Sequence, residues 1–114
     1  MAYGRRVEFE AVREVAFGSI GAAYAALGNV LSDNARIISI SNDTDAPVYI
    51  SFDGTTDHIR VAANSFKLFD LTANKTRDDG YFLAKRTQIY QKRVSGAPTT
   101  GTLWVEVIVA SGGI

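Results

Sequence analysis

Three stretches of this chain alternate apolar and polar residues with a period of two, and that pattern limits the fold more than any other feature. In residues 35–41, Ile38 and Ile40 fall on one face of an extended chain and Ser39 and Ser41 on the other. In residues 47–53, Val48, Ile50 and Phe52 oppose Tyr49 and Ser51. In residues 101–109, Leu103, Val105, Val107 and Val109 form one stripe, and Trp104, Glu106 and Ile108 form the other. Successive side chains of a strand leave opposite faces, so each stretch reads as a half-buried strand. The apolar content of the Trp104–Ile108 stripe implies partial cover by a neighbour. Weaker strands fit 57–62, 65–71, 81–84 and 87–93. Turn-forming clusters separate them: residues 42–45, Asp53-Gly54, Ala63-Asn64, residues 78–80 and residues 95–98. Short strands with a turn signal about every ten residues predict an all-β fold, a sandwich or a small barrel; an antiparallel, jelly-roll-like sandwich of about eight strands is the reading chosen.

The first part of the chain is less regular. Residues 5–12 alternate Val7, Phe9 and Ala11 against Glu8 and Glu10, which suits a strand, and residues 16–20 suit another. Residues 22–27 are rich in helix formers but tightly bracketed by Gly21 and Gly28. A helix so short is marginal, so a short strand is expected there, with a helical turn as the alternative. Residues 1–15 are expected to form an extended arm that orders against a partner, with the sandwich in 16–114. Val7, Phe9 and Val12 are too apolar to stay in water and are candidate contact residues.

A chain of 114 residues with 46 % apolar residues can bury a core of its own. Twelve basic residues balance twelve acidic ones, which removes any global field that would steer the chain onto nucleic acid or a lipid surface. Zero net charge also protects poorly against self-association. With no cysteine there is no disulfide, thiolate metal site or cysteine nucleophile. No apolar run approaches the roughly 20 residues of a membrane span. The opening MAYGRRVEFE lacks the apolar segment of a secretion signal, so synthesis and use in a cytoplasm are expected.

Motifs with chemical content are sparse. His58 is the one histidine, and a Ser–His–Asp set using Ser51 or Ser65 has no local signature to support it. Asp43, Asp45, Asp53 and Asp57 fit turn chemistry better than a calcium loop, which needs a terminal bidentate Glu. No glycine spacing matches a phosphate-binding loop. Neither catalysis nor a cofactor or metal is therefore expected. Lys85, Arg86, Lys92 and Arg93 surround Tyr90 and resemble in composition a nucleic-acid face; four charges on one hairpin fit a solvated face or the rim of a protein interface better. Six Phe, five Tyr and one Trp are more than one small sandwich needs. Most are assigned to the core. Trp104 and Tyr49, on outward stripes, are the chosen contact anchors, because such side chains supply large, stiff contact area.

The order of these motifs resembles that of small virion proteins of tailed bacteriophages. The residues concerned are Ala16-Phe-Gly-Ser-Ile20, Tyr24-Ala-Ala-Leu-Gly28, the run from Ala35 to Asp45, and Tyr49-Ile-Ser-Phe-Asp-Gly54. Asp57-His58, the run from Ala62 to Lys75, Ile89-Tyr90, Ala97-Pro-Thr-Thr-Gly101 and Leu103-Trp-Val-Glu-Val107 complete it. The resemblance spans about Ala16 to Ala110 and includes no catalytic motif. It implies a β-sandwich subunit, synthesised in the bacterial host and resident in the virion. Such a subunit would contact copies of itself and other virion proteins, either portal and neck proteins at the head–tail junction or the major capsid protein as a cement or decoration protein. A carbohydrate-binding sandwich using Trp104 is a further reading. One departure stands out: Arg86 occupies the place of the Gly that usually precedes the equivalent of Thr87, which puts the turn into that strand in question.

Overall fold

A computed structural model describes residues 6–71 and 83–111. The described residues form nine strands: β1 (Arg6–Phe9), β2 (Arg13–Ala16), β3 (Ala25–Ala26), β4 (Asn34–Asn42), β5 (Val48–Ser51), β6 (Ile59–Val61), β7 (Ser65–Asp70), β8 (Tyr90–Arg93) and β9 (Thr102–Ser111). A single 3-10 turn at Phe17–Ser19 follows β2. The fold is all-β, as the alternation requires. Of the strand expected at 81–84, only Leu83 and Ala84 are described; Leu83 bridges to Ala35. The turn at 78–80 and the first five residues lie outside the described residues.

The strands make two antiparallel sheets packed as a sandwich. In the larger, β9 lies between β4 and an edge formed by β1 and β2, and β7 lies beyond β4. The smaller runs β3, β8, β5, β6. β1 and β2 are two lengths of one edge strand. The first pairs from Arg6↔Ser111 to Phe9↔Ile108, and the second from Arg13↔Val105 to Ala16↔Thr102. Residues 6–9 and 13–15, assigned from the sequence to an arm awaiting a neighbour, therefore pair with β9 of the same chain. The unsettled stretch at 22–27 contains the two-residue strand β3, and Leu27 N–H then donates to Ile89 O at 2.7 Å.

The core lies where the alternation puts it. Leu103, Val105, Val107 and Val109 of β9 are fully buried and meet Ile38 and Ile40 of β4, with Val107 opposite Ile38 and Val105 opposite Ile40. From the smaller sheet come Val48 and Ile50 of β5 and Val61 of β6. Burying each such side chain contributes roughly 1.5–3 kcal/mol. A bulge at Arg36 shifts the register between Ala35 and Ile37, so Ala35 and Ile38 both face inward and Ile37 faces outward.

One buried polar cluster locks the corner between the sheets. Asn42 Nδ2 donates to the carbonyls of Ala46 (2.9 Å), Val61 (3.2 Å) and Ala62 (3.2 Å). Asn42 Oδ1 accepts from Thr44 N–H at 3.1 Å and from Thr44 Oγ1 at 2.6 Å. Across this corner Gly101 has φ +96°, and a Cβ there would lie 2.1 Å from Asp43 O, so only glycine fits.

Candidate functional site

The most exposed apolar side chains gather on the outer face of the larger sheet. Pairing across the strands arranges this face in rows. Phe9 lies beside Ile108, which lies beside Ile37. Glu106 lies beside Ser39, which lies beside Leu68. Glu14 lies beside Trp104, then Ser41, then Phe66. Phe9 is 79 % exposed, Phe66 68 % and Leu68 59 %. A groove of about 320 Å³ runs between Phe9, Val12, Ile37, Leu68 and Ile108, with Glu106 in its wall. Large apolar residues in one contiguous patch mark a contact surface, whereas scattered ones need no explanation.

The outer face of the smaller sheet is aromatic and basic. Arg60, Tyr49 and Lys92 form one row across β6, β5 and β8. Lys92 Nζ stands 4.6 Å from the Tyr24 ring centre and 5.7 Å from that of Tyr49. The same ammonium lies 3.5 Å from Asp57 Oδ1, which accepts a hydrogen bond from Tyr24 Oη at 2.5 Å. Burial and then this bond to Asp57 push the Tyr24 phenol well above its ordinary value. Tyr90 packs over Gly54.

The residues singled out in the sequence thus divide between the two sides of the sandwich. Trp104, Phe9 and Val12 belong to the larger sheet's side; Tyr49 and Lys92 belong to the other. The backbone of Val7 pairs with Ala110. Lys85 and Arg86 are exposed on the turn before β8, and Arg93 ends β8 opposite Val48. The four basic residues therefore do not form one face.

Phe66 and Leu68 were not foreseen as contact residues, since the aromatics were assigned mostly to the core. The signal lay in the strand period. Residues 65–70 place Phe66 and Leu68 on the face opposite Phe69, and only Phe69 opposes the buried Ile38.

No Ser–His–Asp geometry assembles at His58. Its Nδ1 accepts from Phe52 N–H at 3.0 Å, while Ser51 Oγ donates to Asp53 Oδ1 at 2.9 Å and Ser65 Oγ to Ala62 O at 2.7 Å. The loop carboxylates are engaged locally. Asp53 accepts from Thr55 and Thr56 N–H, both at 2.8 Å, and these bonds lower its pKa strongly. Asp45 accepts from the hydroxyl and the N–H of Thr99, which hold its pKa down too. Among the described residues, no three His, Asp or Glu side chains gather to hold a metal.

A second groove, of about 500 Å³, lies where β1 passes into β2. Arg13 is buried in its floor. Its Nη2 donates to Glu10 Oε1 at 2.7 Å and to Asn29 O at 3.0 Å, while Nε and Nη1 have no hydrogen-bond partner among the described residues. Glu10 Oε2 accepts from the N–H and hydroxyl of Ser32. Burial alone would raise the Glu10 pKa; the bonds from Ser32 and Arg13 outweigh it and bring the pKa below 4.5.

No family model matches the chain, and neither the curated proteins nor the solved structures contain a match to it.

Proposed function

We propose that this chain is a structural subunit of a tailed-phage particle that assembles through protein–protein contacts at the head–tail neck, as part of a collar or connector ring. The observation that carries the proposal is the outer face of the larger sheet, where Phe9 and Leu68 line a groove and Phe66 is exposed on the same face. A contiguous apolar patch on a sheet face marks a contact surface. The strand order supports the reading further. With β1 and β2 counted as one edge strand, two four-stranded sheets interleave as β1/β2-β9-β4-β7 and β3-β8-β5-β6, an order that fits the jelly-roll sandwich, a fold that viral capsid domains use repeatedly. The motif resemblance supplies the phage context. In this reading the subunit works by shape and stickiness, with copies of itself and the portal or neck proteins as partners and the virion as its location.

Electron microscopy of particles carrying a tagged copy of the chain tests this. A ring of label at the neck is the expected result. Label spread over the head exterior would replace the neck with a capsid-decoration role against the major capsid protein, and particles devoid of the chain would overturn the proposal.

A further inference from the structure

The two outer faces of the sandwich carry opposite charges at their strand positions. The three outward rows of the larger sheet, the first of which runs on from Ile37 to Asp70, hold the carboxylates Glu14, Glu106 and Asp70 among apolar and serine side chains, and no cation. Of the basic residues adjacent to these positions in sequence, Arg13 pairs with the buried Val105, Lys67 pairs with the buried Ile40, and Arg36 is the extra residue of the bulge. Among the described residues, neither Glu14 nor Glu106 has an ion pair or hydrogen-bond partner. The row on the smaller sheet holds Arg60 and Lys92 on either side of Tyr49. Asp57 takes part of the Lys92 charge at 3.5 Å, whereas Arg60 is exposed and has no ion pair among the described residues.

From this we infer a head-to-tail contact between copies, in which the Arg60–Tyr49–Lys92 face of one copy covers the Glu14–Glu106 face of the next. The inference rests on the proposed role as an assembling subunit and specifies its partner surface. Symmetric alternatives are disfavoured by charge. Two copies meeting through their larger sheets would set Glu14 and Glu106 against carboxylates, and two meeting through their smaller sheets would oppose Arg60 and Lys92 to their own kind. Like charges brought together in this way cost several kcal/mol. The mixed pairing sets opposite charges against each other and gives the exposed apolar side chains an aromatic cover.

The spacings agree. Arg60 and Lys92 are separated by one strand, about 9–10 Å. Glu14 and Glu106 are diagonal neighbours, about 7–8 Å apart. Long, flexible Arg and Lys side chains span the difference. A contact between two different patches closes into a ring or continues as a filament, according to the rotation it imposes.

Charge exchange tests the contact. The full chain is followed by sedimentation velocity over a range of concentrations as the unchanged protein, as Glu106→Arg, as Arg60→Glu, and as an equimolar mixture of the two variants. Circular dichroism confirms that each is folded. The expected result is self-association that weakens about tenfold or more in each variant alone and recovers in the mixture, where each reversed face meets its complement. If a variant does not fold, Glu106→Gln and Arg60→Gln carry the same test through a reduced salt dependence of association. Association indifferent to either change overturns the head-to-tail contact and leaves the assembling role standing. A mixture of Glu106→Arg with unchanged protein that associates more tightly than unchanged protein alone overturns it in favour of symmetric pairing. A chain that stays monomeric throughout overturns this contact, and the microscopy of particles decides the structural role separately.

Discussion

A Cβ atom placed on Gly28 would lie 2.7 Å from Cγ of Arg13. The backbone of Gly28 also has φ +74°, a region that side chains other than glycine enter at a cost. Gly28 thus leaves the space in which the stem of Arg13 runs to reach Glu10 and Asn29. Substitution Gly28→Ala combines backbone strain with displacement of a buried cation, and a loss of about 1–3 kcal/mol is expected. A thermal melt of the variant checks it. An unchanged melting temperature would mean that the Arg13 side chain has free room to move.

The Asn42 amide nitrogen donates to three backbone carbonyls, and its oxygen accepts from the N–H and the hydroxyl of Thr44. Asn42→Asp keeps the shape and reverses one end, turning an oxygen toward the carbonyls of Ala46, Val61 and Ala62. The expected cost is about 3 kcal/mol or more, because a buried group is left facing its own kind without a donor. Urea denaturation measures it. A cost below that of an ordinary surface substitution would show that the corner opens to water.

Acid should unfold this protein partly through Glu10. Its folded pKa lies below the unfolded value of 4.5, so the stability it contributes is complete above that value and is lost as the pH falls through the folded pKa. Glu10→Gln is therefore expected to be less stable than the unchanged chain at neutral pH and to approach it in acid, as the pH falls through the lowered folded pKa. Urea midpoints at neutral and acid pH test this. Asp45 and Asp53, whose pKa values are also lowered, maintain part of the acid sensitivity in the variant. A gap that stays constant with pH would assign the loss to packing alone.

The long strands were legible because they alternate without interruption. The stripe from Leu103 to Val109 is buried residue by residue, and Ile38 and Ile40 face it as the sequence implied. What alternation alone does not reveal is how strands from distant parts of the chain come together. The pairing of β1 and β2 with β9 joins the two ends of the chain, and no local pattern in residues 6–16 encodes it. The bulge at Arg36 likewise turns Ala35 inward, where unbroken alternation with Ile38 and Ile40 would put it outside. On the surface, Tyr49 and Trp104 were legible as outward-facing positions; that they lie on opposite sheets depends on the crossovers between sheets. Phe66 was hidden for a different reason. Its apolar character argued for the core, and its strand period argued against it.

Arg86 has φ +75°, in the left-handed region that favours glycine. The turn therefore carries a side chain that does not suit it. Arg86 N–H donates to Leu31 O at 2.9 Å and Thr87 N–H to Ala84 O at 3.1 Å, and Lys85 N–H donates to Asn34 Oδ1 at 2.9 Å. Those bonds hold the left-handed residue in place from both sides. Arg86→Gly removes strain of about 1 kcal/mol in the folded state and adds a smaller freedom to the unfolded chain. A net gain of about 0.5 kcal/mol is expected, with a melting temperature a few degrees higher. Arg86→Val, which is β-branched and resists positive φ, is expected to lose stability by at least as much. The comparison separates backbone strain from the loss of an exposed charge, because both variants remove the guanidinium and only one relieves the backbone. Equal melting temperatures for the two would show that the conformation at 86 is not what limits the turn.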